Sequence, residues 1–133
     1  MSLCRQNFSD EAEAALNKQV NLELAASYAY LSMASWCNRD IVALPGFAAF
    51  FRRQSHEETE HAHKLIDYIA KRGGKTEFCS IPAPDNGGDW KSVSQCLETA
   101  LALEKQVNEA LLKLHAVAEQ NEDPQLEDFL EQD

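Results

Sequence analysis

The sequence predicts an all-α fold, a bundle of four helices with one long crossover connection. Three stretches of roughly 28 to 31 residues keep an apolar period near that of an α-helix. Short polar or glycine breaks bound them, and a single fourteen-residue segment rich in proline, glycine and aspartate interrupts the series. No stretch alternates with strand period.

Asp10 and Glu13 have the spacing of a capping box and predict the start of helix one, about 10–37, which Asn38-Arg39-Asp40 breaks. Pro45 suits the first turn of helix two, about 45–72, whose apolar period through Phe51, Leu65 and Ile69 stops at Gly73-Gly74. Residues 75–88 hold Pro82, Pro84, Asp85-Asn86 and Gly87-Gly88 and predict loop. Fourteen extended residues reach about 45 Å, and a helix of 28 residues is about 42 Å long. The loop can therefore travel the whole bundle and set helices two and three parallel, while the short break before Pro45 makes helices one and two an antiparallel hairpin. Helix three is predicted at about 90–120 with Asp89 as its cap. Asp123-Pro124 then opens helix four, from 124 to 133 and onward.

At 133 residues the chain is expected to form one domain, 1–133. Twelve Lys and Arg against 22 Asp and Glu give a formal charge of -10, which opposes nucleic acid and anionic lipid and attracts cations. Cys4, Cys37, Cys79 and Cys96 form no CxxC pair, so neither a zinc ribbon nor a redox dithiol is expected. The first residues lack the apolar core of a signal peptide, and no membrane span is expected. A cytoplasmic location is the expectation.

The pattern that carries chemistry is acidic residues inside apolar stripes. Glu23 falls on the face of Leu16, Val20 and Tyr30. Glu58 and His61 fall on that of Phe47, Phe51 and Leu65, and Glu104 on that of Leu97, Leu101 and Leu111. Carboxylates removed from water cost several kcal/mol unless paired, and three in one core would also repel one another. A bound cation removes both penalties. Glu58 and His61 form Glu-x-x-His, the helical spacing used in di-iron carboxylate bundles, which build each site from single glutamates on two helices and Glu-x-x-His on the other two; Glu23, Glu58-x-x-His61 and Glu104 fill three of these four places. A zincin motif is excluded, because His56 and His61 are five apart and diverge around the helix. Carboxylate oxygens with one imidazole suit iron in both oxidation states, and other divalent metals can substitute.

The segments Asn21-Leu22-Glu23-Leu24, Tyr28-Ala29-Tyr30-Leu31-Ser32-Met33, Gln54-Ser55-His56-Glu57-Glu58 and Leu103-Glu104-Lys105 resemble ferritin, over essentially the whole chain. The resemblance is to subunits of the heavy, ferroxidase-active type. It implies the ferritin-like bundle with one crossover, oxidation of Fe(II) by dioxygen at an intra-subunit di-iron centre, and storage of ferric mineral in a self-associated cage of twenty-four subunits. By similarity Glu23, Glu58 and His61 hold the first iron, with Glu58 bridging. Glu104 is a ligand of the second, Glu57 is an auxiliary carboxylate, and Tyr30 hydrogen-bonds within the site. The resemblance also implies an ion path at His115, Asp128 and Glu131 and mineral nucleation at Glu57 and Glu60. His63 stands where a third nucleating acid is usual. Met33 is expected to pack rather than to ligate haem. Family members run further, through the rest of helix four and a fifth helix, so the domain is expected to be C-terminally incomplete and to lack the fourth-helix ligand. The alternatives to a ferroxidase are a light-chain-like cage subunit that nucleates mineral without oxidising iron, and a helical interaction module.

Overall fold

The computed structural model describes residues 2–132. It has four α-helices, α1 (Asp10–Cys37), α2 (Pro45–Lys71), α3 (Val93–Gln120) and α4 (Pro124–Glu131), and a single 3-10 turn at Asp85–Gly88. Residue 133, the expected continuation of α4, lies outside the described residues.

Two predicted caps are corrected. Ser9, one residue before Asp10, caps α1 by accepting from the Ala12 amide at 3.0 Å. Glu13 instead takes Arg5 at 2.8 Å and the Lys75 amide at 2.7 Å, so no capping box forms. Ser92 rather than Asp89 caps α3, three residues later than expected, and accepts from the Gln95 amide. Asp89 pairs with Lys91 at 2.8 Å, and Trp90, between them, is buried with its indole donating to Ser32. Burial of that indole pulls the chain inward and delays the helix. Pro45 and Asp123-Pro124 begin α2 and α4 as predicted, and Asp123 Oδ1 accepts from the Leu126 amide.

α2 ends at Lys71, one residue short of the expectation, and the double glycine that follows is a steric requirement. Gly73 has φ +83, and a Cβ there would meet the Arg5 backbone nitrogen at 2.8 Å. The crossover then runs along α1 as an extended ribbon. Asn17 and Asn21, one turn apart, donate to the carbonyls of Lys75 and Glu77 and accept from the amides of Glu77 and Cys79. Alternate ribbon residues thus meet successive helical turns, an arrangement that takes the chain from one end of α1 to the other.

At the start of the ribbon Gly73 lies against Arg5; at its end Trp90 reaches Ser32. Asn121 at the far end of α3 reaches Glu11 at 2.6 Å. α3 is therefore antiparallel to α1 and parallel to α2, as the loop length allows. The bundle contains two apolar clusters: one around Tyr30, Met33, Phe51, Trp90 and Val107, the other around Leu16, Val20, Leu65, Ile69 and Leu114. Buried Glu23, Ser55 and Glu58 fall in sequence between the members of the two clusters, and buried Ser27 follows Ala26 at the edge of the first. A polar layer crosses the middle of the bundle.

Candidate metal centre

One helical turn of α1 and one of α2 build this layer's charged part. Residues three apart on a helix share a face, so Glu58 and His61 point together toward Glu23 on the facing helix. His61 Nδ1 lies 3.6 Å from Glu23 Oε2 and 3.8 Å from Glu58 Oε2. Ligand-capable atoms of the three residues all lie within 4.8 Å of one another. The carboxylates are buried, at 3% and 5% side-chain exposure, whereas His61 is 44% exposed and opens the group to a groove.

Burial pushes the Glu58 carboxyl above the usual carboxylate range, and nearby Glu104 adds to the rise while Glu23 and His61 oppose it. Glu58 Oε2 is buried with no hydrogen-bond donor. Such an oxygen costs stability when ionised, and a multivalent cation supplies the missing partner. Two hard oxygen donors and an imidazole are a donor set that fits iron.

Glu104 and its stripe differ from the expectation. Leu97, Leu101 and Glu104 are exposed, and the buried face of α3 is Cys96, Val107, Leu114 and Ala118. Phe47 on α2 is likewise exposed at 38%, unlike Phe51 and Leu65. Apolar residues cover more than half the circumference of α3, so period alone did not separate the packed face from the open one. Glu104 nevertheless reaches the site: it accepts a 2.6 Å hydrogen bond from buried Tyr30 and lines the same groove as Glu23, Glu58 and His61. Burial, then the bond to Glu104, drives the Tyr30 phenol far above its ordinary value, with Glu58 and Glu57 contributing. Tyr30 stays protonated and keeps donating.

The remaining candidate residues are dispersed. Glu57, Glu60 and His63 are exposed on α2, and Glu57 is close enough to act electrostatically on Tyr30. His115 and Asp128 line the groove, a space of about 1200 Å³ that also contains the Glu23, Glu58 and His61 group. Exposed Glu131 is not among the residues lining it. Met33 is fully buried in the apolar core.

Sequence reasoning missed the hydroxyl cluster of Ser27, Ser55 and Thr59 beside the carboxylates, and the Arg72–Asp123 pair. Ser27 follows Glu23 by four residues and Ser55 precedes Glu58 by three, so helical spacing carried the first signal. The second had none, because the partners are separated by 51 residues.

A ferritin-like domain profile matches residues 13–133. The chain belongs to the ferritin family. It is 54% identical over 130 residues to the lower subunit of ferritin from Aquarana catesbeiana, covering 98% of this chain and 75% of that protein. It is 49% identical over 131 residues to soma ferritin from Lymnaea stagnalis, with the same coverage. Ferritins store iron in oligomeric cages, and iron storage is the function that membership gives this ferritin. Among the described residues no helix is long and apolar enough to cross a membrane.

Proposed function

We propose that this ferritin chain is a subunit of the heavy, ferroxidase-active type, which oxidises Fe(II) to Fe(III) with dioxygen before mineral is stored. The observation that carries the proposal is the buried pair Glu23 and Glu58 facing His61 at 3.6 and 3.8 Å. A subunit that only nucleated mineral would gain nothing from two carboxylates inside the bundle, where each costs stability when no cation is bound.

In this assignment Glu23, Glu58 and His61 hold the first Fe(II), with Glu58 turned toward a second that Glu104 binds and Glu57 assists. Each Fe(II) gives up one electron to dioxygen. Anionic oxygen donors stabilise the extra positive charge of Fe(III) and so favour the loss of that electron. Tyr30 keeps Glu104 oriented through its 2.6 Å bond. His115, Asp128 and Glu131 form the ion path, and exposed Glu57 and Glu60 seed ferric mineral. The chain works in the cytoplasm, in a cage of twenty-four subunits.

Aerobic addition of Fe(II) to the purified protein, followed by stopped-flow absorbance, tests the proposal. Rapid oxidation in proportion to subunit concentration is expected. Oxidation no faster than that in protein-free buffer overturns it and leaves the non-catalytic cage subunit.

A further inference from the structure

Ser27 on α1 and Ser55 on α2 are both buried and exchange bonds across the interface. Ser27 Oγ donates to the Ser55 carbonyl at 2.9 Å, and Ser55 Oγ donates to the Ser27 carbonyl at 2.8 Å. The two hydroxyl oxygens are 2.9 Å apart, and Thr59 Oγ1, 2.8 Å from Ser27 Oγ, closes the cluster. Thr59 Oγ1 also donates to the Ser55 carbonyl of its own helix at 3.1 Å, whereas the two serine bonds run from side chain to the opposite helix's backbone. They lock one backbone to the other rather than one rotamer to another.

In an antiparallel pair, residues that face one another have nearly constant summed numbers. Ser27 and Ser55 define that register, and Glu23 with Glu58 and Tyr30 with Phe51 obey it within one residue, the latter pair stacked at 6.4 Å. Glu23 lies one turn before Ser27, and Glu58 one turn after Ser55. Both displacements run in the same direction along the bundle, so the clamp sits directly beneath the carboxylate pair. A slip of one residue moves one helix by about 1.5 Å relative to the other, whereas metal–ligand distances tolerate only about 0.2 Å. Close helix approach alone would be met by alanine, which is small and carries no buried polar atom. The hydroxyls supply what alanine cannot, a directional bond that fixes the axial register.

We infer that Ser27, Ser55 and Thr59 are positioning residues that set the separation of Glu23, Glu58 and His61 and hence the affinity and geometry of metal binding. This role rests on the metal centre proposed above.

Anaerobic titration with Co(II), read by its visible d–d absorption, tests the inference on the wild-type chain, the Ser27→Ala/Ser55→Ala double variant, Thr59→Val and Thr59→Ser. Valine matches threonine in shape and lacks only the hydroxyl, and serine restores it. A loss of about tenfold or more in Co(II) affinity is expected for the double variant, with an altered absorption band. Thr59→Val should weaken binding in the same direction, and Thr59→Ser should behave as wild type. If the double variant does not fold, the Thr59 pair decides. Wild-type affinity and spectrum in the variants, with only a lower melting temperature, would overturn the positioning role while leaving the metal centre standing. A wild-type chain that binds no Co(II) overturns both.

Discussion

Tyr30 Oη donates to Glu104 Oε1 at 2.6 Å, joining the C-terminal third of α1 to α3. The donor is fully buried and the acceptor is exposed, so the bond tethers a carboxylate that water would otherwise leave free to rotate.

Tyr30→Phe removes this tether and little else. Glu104 can rehydrate, so the stability cost is about 1 kcal/mol or less. Fe(II) oxidation is expected to slow by about tenfold, measured by stopped-flow absorbance, with a circular dichroism spectrum that matches wild type. An unchanged rate would place Glu104 outside the chemistry.

Replacing Glu58 or His61 by alanine should abolish rapid Fe(II) oxidation and leave the fold intact. Glu58→Ala removes a buried carboxylate whose ionisation burial opposes, so little stability is lost. Initial rates in both variants equal to wild type would exclude this triad as the reaction site.

The raised Glu58 carboxyl also predicts a pH dependence for the metal-free protein. The folded chain holds this proton to higher pH than the unfolded chain does. Between the ordinary carboxylate value and the raised one, stability therefore falls as pH rises, and it recovers as pH drops back through that window. Glu58→Gln should flatten this local dependence and raise the metal-free melting temperature at neutral pH by roughly 3 °C. Saturation with a redox-inert divalent ion should raise the wild-type melting temperature by mass action, with a smaller increment in Glu23→Gln. Thermal scans across pH, with and without the ion, read all of these; a metal-independent melting temperature would mean that the carboxylates bind nothing.

Arg72→Ala should be the most damaging substitution away from the centre. Arg72 makes two 3.1 Å bonds to Asp123, both side chains being almost fully buried, and also donates to Tyr68 and to the Asn7 carbonyl at 2.9 Å. Burial works against the guanidinium's charge, but these bonds outweigh it and hold the proton more tightly than usual. Its loss strands a buried carboxylate at about 3–5 kcal/mol. Tyr68 stacks on Phe129 at 4.0 Å, so α4 should loosen with it. Urea unfolding and amide exchange in α4 would report this, and a variant as stable as wild type would show that the pair is energetically idle.

Cys37 and Cys96 are buried, and Cys96 is pushed up to about 11 by burial and by its neighbour Cys37. Burial raises Cys37 as well. Thiolate chemistry needs the ionised form, so both should resist a disulfide reagent until denaturant is added. Rapid labelling of either in the native protein would show that the end of the bundle opens.

The helices and the Glu-x-x-His pair were legible in the sequence because both depend on spacing along one chain. A period of 3.6 places Glu58 beside His61 whatever the helix packs against, Pro45 and Asp123-Pro124 start their helices by local geometry, and fourteen loop residues are long enough to span a crossover. Which face of α3 is covered was not legible. Leu97, Leu101 and Glu104 keep the spacing of one helical face yet are exposed, while Cys96, Val107 and Leu114 are buried. The late start of α3 was set by burial of Trp90 against Ser32, which outcompeted the cap at Asp89. The Ser27–Ser55 clamp, the Asn17 and Asn21 ladder and the Arg72–Asp123 pair join residues 28, 56 to 60 and 51 positions apart. Local propensity carries no information about such partners. The sequence by itself determined the helices, their order and the pairing of Glu58 with His61 on one face, because these follow from short-range geometry. Only the tertiary structure decided which side chains meet across helices, because that depends on the register and rotation of one helix against another.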